Sequence, residues 1–415
     1  MIKNIFSPLI IIIMITSSCN NSGQKKSSDN NETDSLKQGS FVYDLNFLKE
    51  YDDSVVVLSN DSGKAQVIVS PKYQAKVFTS TADGNSGRSF GWVNYKAFSG
   101  SPDGHMNAYG GENRFWLGPE GGKFSLFFKP DSQMVFANWK TPAPFDTEPW
   151  KVVNENGQSV TMQKDMQLTN YKGTQLDVAV KRSVKILTNA EISQRLGLAL
   201  DTSVKVVAYQ TDNIITNTGK TAWTEATGMP VIWMLDMFTP SPATVIVVPY
   251  KNLSGEPFNK VVTSDYFGQI PPDRLKHTDD MLFLKADGKS RGKLGVLPTY
   301  AKNLVGSYDP QHKVITIIMF DLDSSAKYLN QEWNTTKPTF SGDAVNSYND
   351  GPLADGTQMG PFYEMESVSP AAFLKPGESL SHKHAVFHFM GDVKGLDAIS
   401  QKLLGVSLED IQKEF

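Results

Sequence analysis

The chain has 415 residues, with 40 Lys and Arg against 44 Asp and Glu, a formal charge of −4 and one cysteine. A near-balanced, slightly acidic chain with no basic cluster beyond Lys25-Lys26 excludes nucleic acid as an expected partner. With its cysteine at position 19, the rest of the chain has neither disulfides nor thiolate chemistry to draw on.

Met1–Ser18 reads as a signal segment. Lys3 gives the positive flank, and Leu9–Ile15 is an apolar run too short to cross a bilayer. Cys19 follows Thr16-Ser17-Ser18, so small residues precede a cysteine that closes the apolar run, as in a bacterial lipobox. Thr16 stands where Leu is usual. The expectation is a lipid anchor at Cys19 and a body outside the cytoplasm, in the cell envelope at the outer membrane. Residues 19–39 are rich in Asn, Ser, Lys and Asp and read as a disordered tether.

From residue 40 to 415 no linker, repeat or shift in composition divides the chain, which predicts one domain. Runs rich in Val, Ile, Phe and Tyr, broken by Gly, Pro, Asn and Asp, predict strands at Ser54–Leu58, Ala65–Ser70, Ala75–Thr79 and Phe124–Phe128. Further strands are predicted at Leu176–Leu187, Val204–Tyr209, Val231–Met234, Thr244–Val248, Val314–Phe320 and twice within Phe362–Phe389. Asn189 is a cap for a helix over Ala190–Leu200, and two short helices close the chain, Leu396–Leu404 and one capped by Ser407. Helices do not alternate with strands, so the fold class is all-β: a large antiparallel β-sandwich with a few short helices.

Three stretches carry chemistry. In Gly110–Gly122, GGENRFWLGPEGG, glycines let the backbone turn tightly around Asn113, Arg114, Trp116 and Glu120. Arg offers a rigid donor fork, and Glu with Trp offers one hydrogen-bonding edge and one apolar face, which suits a sugar; an Arg–Glu pair that stitches a loop explains them as well. In Asn213–Trp233, Trp233 can stack on a pyranose or fill a core. In Phe362–Phe389, Glu364 and Glu366 alternate onto one strand face, and His382, His384 and His388 onto one face of the next strand. A hairpin or a pair of nearby strands there gathers carboxylates and imidazoles into one cleft; an exposed polar sheet face is the other reading. Asp350 and Asp355 fit a turn rather than an EF-hand, His382 and His384 lack further metal ligands, and no phosphate-loop or nucleophile-elbow pattern occurs, so neither metal nor cofactor is expected.

Met365-Glu366-Ser367 followed by Pro376-Gly377-Glu378 resembles the C-terminal strands of aldose 1-epimerases, the galactose mutarotase-like superfamily. The resemblance implies a two-layered antiparallel supersandwich with Glu366 as the base that takes the anomeric hydroxyl proton. Asn113-Arg114 is similar to a pair that holds sugar hydroxyls in that superfamily, and Thr216-Asn217 to a pair near its catalytic histidine. No histidine lies between His105 and His277, so the acid implied there is absent, and His384 or His382 is the expected partner of Glu366. The expected sugar contacts are Arg114, Trp233, Glu364, His382, Asn113, Trp116 and Glu120. Three functions stay open: a carbohydrate-binding lipoprotein, an active epimerase or mutarotase with a non-standard acid, and a structural component of an envelope complex.

Overall fold

The computed structural model describes residues 37–251 and 255–415. The signal segment, Cys19 and the tether up to residue 36 lie outside the described residues. The first element is a helix, α1 (Phe41–Tyr51), followed by strands β1 (Val56–Ser59), β2 (Gln66–Ser70) and β3 (Lys76–Thr81), a short α2 (Tyr95–Ser99) and β4 (Arg114–Gly118). Next come β5 (Lys151–Asn156), β6 (Ser159–Thr169), β7 (Gln175–Ile186), α3 (Asn189–Leu196), β8 (Val204–Asn217), β9 (Val231–Phe238) and β10 (Val245–Pro249). The chain continues with α4 (Phe258–Val261), β11 (Val262–Thr263), β12 (Leu275–His277), β13 (Met281–Lys285), β14 (Gly292–Val296), β15 (Leu304–Asp309) and β16 (Val314–Phe320). It ends with β17 (Val345–Asn349), β18 (Tyr363–Val368), β19 (Ser379–Gly391), α5 (Val393–Leu403) and α6 (Leu408–Lys413).

The strands form two large antiparallel sheets and a small one. Ten strands run in the order β12-β13-β10-β15-β16-β19-β8-β7-β6-β5, six in the order β11-β14-β17-β18-β9-β4, and β1-β2-β3 make the third. The two large sheets pack face to face over one apolar core, in which Val180, Ile215 and Val386 of the ten-stranded sheet meet Met234 and Met365 of the six-stranded one. Alternation sorts β19: Val386 points into that core, whereas Ala385, Phe387 and Phe389 point outward. The outward face is covered by α3, α5 and α6 through Ile192, Leu196, Leu396, Ile399, Leu408 and Ile411. Both faces of β10 are therefore dry, with Ile246 and Val248 in the core between the sheets and Val245 and Val247 under the helices, and the strand is buried along its whole length. The all-β antiparallel sandwich with short helices is the observed architecture.

Two local expectations need correction. Phe124–Phe128 is buried but is no strand; its amides bond to nearby turn carbonyls, Ser125 to Gly122 at 3.2 Å and Leu126 to Pro119 at 3.0 Å. A short apolar run shows burial, not which hydrogen bonds the backbone makes. The α3 cap is Thr188 rather than Asn189, with a reciprocal Thr188–Glu191 capping box, and the helix stops at Leu196 because Gly197 takes a left-handed conformation. Helix α1 was not expected at all; it lies on an aromatic cluster in which Phe47 meets Tyr95 and Phe98 edge-on at 4.9 and 5.1 Å.

Candidate functional site

The site lies on the face of the six-stranded sheet that turns away from the ten-stranded one. Register fixes its floor. Lys293, Tyr348, Glu364 and Met237 stand side by side across β14, β17, β18 and β9. The next row is Gly295, Asn346, Glu366, Leu235 and Arg114, and Trp233 stands opposite Trp116 in the row beyond. Loops build walls on this floor, giving a cleft with two lobes of about 330 and 640 Å³. The smaller lobe is floored by Arg114, Trp116, Trp233 and Glu364, and Glu120 and Lys293 line both lobes.

One wall is a row of near-parallel rings. His105 stacks on Phe136 at 4.6 Å, Phe136 on Trp139 at 6.2 Å, and Trp139 on Trp333 at 6.1 Å. The His105 Nδ1–H donates to the Trp139 carbonyl at 2.6 Å, which fixes the ring against the wall. Gly121 brings the 330–334 loop over Glu120, since a Cβ there would stand 2.1 Å from the Glu332 carbonyl oxygen. The opposite wall carries Phe267, with the Arg291 guanidinium 3.7 Å above its ring, and Tyr348.

The floor is charged and largely dry. Arg114 pairs with Glu364, and its guanidinium lies 5.2 Å from the Trp116 ring centre. Lys293 Nζ donates to Glu366 Oε2 at 2.9 Å and sits 4.8 Å over Trp233, whose indole N–H donates to the same oxygen at 2.8 Å. Burial pushes Glu364 up to about 7; Arg114 opposes this and Glu366 adds to it. Burial likewise raises Glu120, with Lys293 pulling it back. Lys293 is itself held above its ordinary value, because Glu366 and Glu120 outweigh its burial.

The sequence-derived set divides between this cleft and the interior. Arg114, Trp116, Trp233, Glu120 and Glu364 line the cleft. Glu366 belongs to the same face but is fully buried beneath Lys293 and Trp233, and its Oε1 has no partner. The expected meeting of Glu366 with His384 does not occur. Strands β18 and β19 are not hairpin partners; they belong to different sheets, and the histidine face of β19 looks into the space between them. There His384 Nε2 meets Asp236 Oδ2 at 2.6 Å, and its Nδ1 meets the Ser367 hydroxyl at 2.8 Å. His382 Nε2 reaches the same hydroxyl at 2.9 Å, and burial, with His384 nearby, lowers it to about 3, so the ring is neutral. His388 is bound to Glu112 at 3.0 Å and to Thr316 at 2.8 Å.

Alternation also separates Asn113 from Arg114. Asn113 points inward, donating to Asp236 at 2.6 Å and accepting from Arg182. These inner groups form a connected polar network in the sandwich core, in which His382 Nδ1 is left without a hydrogen-bond partner. Asn217 fastens the turn after β8 through the Thr221 and Leu374 carbonyls at 2.9 and 3.0 Å. Among the described residues no group of three or more His, Cys, Asp or Glu is placed to hold a metal ion, and no helix is long and apolar enough to cross a membrane.

Several cleft residues escaped the sequence reading. Arg291, just before β14, and Lys293 within it flank Gly292 at strand spacing, a signal that places both on one side. His105, Trp139, Phe267 and Trp333 lie in irregular segments, and Phe136 in a single 3-10 turn (Phe136–Asn138), where no periodicity marks them.

Fold and site together define an antiparallel sandwich with a carboxylate- and indole-lined cleft on its smaller sheet. Residues 39–415 match the family described as "Family of unknown function (DUF6786)", and the chain belongs to it. No curated protein matches the sequence. Among solved structures, it is similar to a putative aldose 1-epimerase from Escherichia coli K12, at 13% identity and a TM-score of 0.47 over 81% of this chain and 98% of that one. It is also similar to the Slr1438 protein from Synechocystis sp. PCC 6803, at 12% identity and a TM-score of 0.49 over 81% and 96%. A galactose mutarotase-like protein from Lactobacillus casei shares 12% identity, with a TM-score of 0.46 over 81% and 100%.

Proposed function

We infer that the protein is an envelope lipoprotein, anchored through Cys19, whose cleft binds a carbohydrate. One observation carries the reading: the Arg114–Glu364 pair, the Trp116 and Trp233 indoles, Glu120 and Lys293 all border one concave surface. A pyranose has apolar faces and a rim of hydroxyls, so it takes indoles against its faces and charged forks at its edge. Four of the eight large exposed apolar side chains among the described residues, Phe136, Phe267, Leu353 and Met359, line this cleft, which favours a ligand site there.

A second reading, sugar epimerisation or mutarotation, finds support in Glu364 rather than Glu366. Glu364 borders the cavity and is raised to about 7, where a carboxyl can both give and take a proton. Glu366 is covered by the Lys293 ammonium and the Trp233 indole and serves to position both.

Calorimetric titration with a panel of neutral sugars, together with polarimetry on any that bind, tests the two readings. Saturable binding that Trp233→Ala weakens is expected, and absence of binding by every sugar overturns the reading. Accelerated mutarotation abolished by Glu364→Gln adds turnover; binding with no acceleration over buffer leaves a binding protein. For the anchor, Cys19→Ala should release the protein from the membrane fraction, and unchanged mass and fractionation overturn it.

A further inference from the structure

The cleft has more room and more aromatic surface than one sugar uses. The inner lobe, of about 330 Å³, holds the Arg114–Glu364 pair and Trp233. The outer lobe, of about 640 Å³, runs past them to Asn334, Asp350 and Leu353. The lobes are continuous, since Glu120, Lys293, Phe136, Phe267 and Trp333 border both. Cavities of about 300–1,000 Å³ hold drug-sized ligands, several times larger than a hexose. A single ring on the inner floor leaves most of the outer lobe to water, with Leu353 of its apolar rim bare and Phe136 and Phe267 covered on their inner sides alone.

That rim is costly to leave bare. Phe136 is 61% exposed, Phe267 41% and Leu353 47%. The rings are nevertheless held in place: Phe136 lies between His105 and Trp139 at interplanar angles of 21° and 17°, and Phe267 is clamped by Arg291. Braced, exposed rings on both walls, with polar groups between them, make a track for a ligand that is itself alternately apolar and hydroxylated. Charge decides the kind of ligand. The outer lobe carries three carboxylates, Glu120, Glu332 and Asp350, against two cations, Lys293 and Arg291; Lys293 is engaged with Glu366, Arg291 with Phe267 and the Tyr348 hydroxyl at 3.3 Å, and Glu332 with Lys337 at 2.5 Å. A polyuronate or a sugar phosphate would meet carboxylates there.

The geometry points to a neutral oligosaccharide of about three or four units as the occupant, with a terminal sugar on the inner floor and the following units along the outer lobe. This rests on the carbohydrate reading above and adds the length and charge of the ligand. The test is calorimetric titration of the full chain with neutral gluco-, galacto-, manno- and xylo-oligosaccharides of one to six units, α- and β-linked, alongside oligogalacturonates and octyl glycosides. For the best series, affinity should rise about tenfold or more between one and four units and then level off. Leu353→Ala, which alters only the outer lobe, should weaken the tetramer and leave the monosaccharide unchanged, and Phe267→Ala should weaken the tetramer more than the monosaccharide. Both side chains are exposed enough for the variants to fold. Equal affinity for monomer and tetramer overturns the extended site while sparing the carbohydrate reading. Tighter binding of the uronates or octyl glycosides overturns its neutral, hydroxylated occupant. Binding of none of the sugars, monomers included, overturns both.

Discussion

Lys293→Met perturbs the floor of the cleft at its most dependent contact. Glu366 is fully buried; its Oε2 accepts from Lys293 at 2.9 Å and from the Trp233 indole at 2.8 Å, and its Oε1 has no partner. Met keeps most of the lysine stem, so packing against Trp233 and Tyr266 changes little while the charge disappears. One charge-assisted hydrogen bond lost is worth ~1.5–3 kcal/mol, but stranding a buried carboxylate raises the expected cost to ~3–5 kcal/mol. Urea unfolding at pH 8 should show that loss. Glu366→Gln in the same background removes the stranded charge and should recover ~2 kcal/mol or more, a coupling energy read from the four-protein cycle. A cost below ~1 kcal/mol at pH 8, or a cycle with no coupling, would refute the argument that Lys293 neutralises Glu366.

Three other outcomes are expected. His384→Ala should cost ~3 kcal/mol of stability by taking a partner from the buried Asp236, and should leave ligand affinity unchanged; weaker sugar binding at unaltered stability would place His384 in the site after all. If sugar affinity or turnover depends on pH with a midpoint near 7, Glu364→Gln should flatten that dependence, and a midpoint that survives the change belongs to another group. Burial raises Asp44 from 3.8 to about 6, so the folded state holds this proton more tightly than the unfolded chain; the resulting stability is present at low pH and is lost as pH rises through about 6. Asn cannot ionise but can still accept from the Tyr95 hydroxyl, so Asp44→Asn should raise stability by up to ~3 kcal/mol at pH 8 and hardly at all at pH 4, and equal melting-temperature changes at the two pH values would contradict this.

Much of the fold was legible in the chain because its signals are local. Alternating runs such as Gln175–Ile186, with one face buried and one wet, announce a strand from a few residues. The cap at Ser407 announces a helix in the same way, its hydroxyl accepting from the Asp410 amide. Helix α1 was invisible because its stability comes from aromatic residues far along the chain, not from its own pattern.

The sequence by itself determined which residues share a strand face: Glu364 with Glu366, and His382 with His384 and His388. Period-two geometry is a property of the local backbone and needs no partner. Tertiary structure alone decided what each face meets. It assigned β18 and β19 to different sheets, turned the histidines toward Ser367 and Asp236, and covered Glu366 with Lys293 from a strand some seventy positions earlier. It also brought the rings of residues 105, 136, 139 and 333 into one wall. Loops carry no periodicity, and their placement depends on close approaches such as that of Gly121 to the Glu332 carbonyl, which only the folded chain makes.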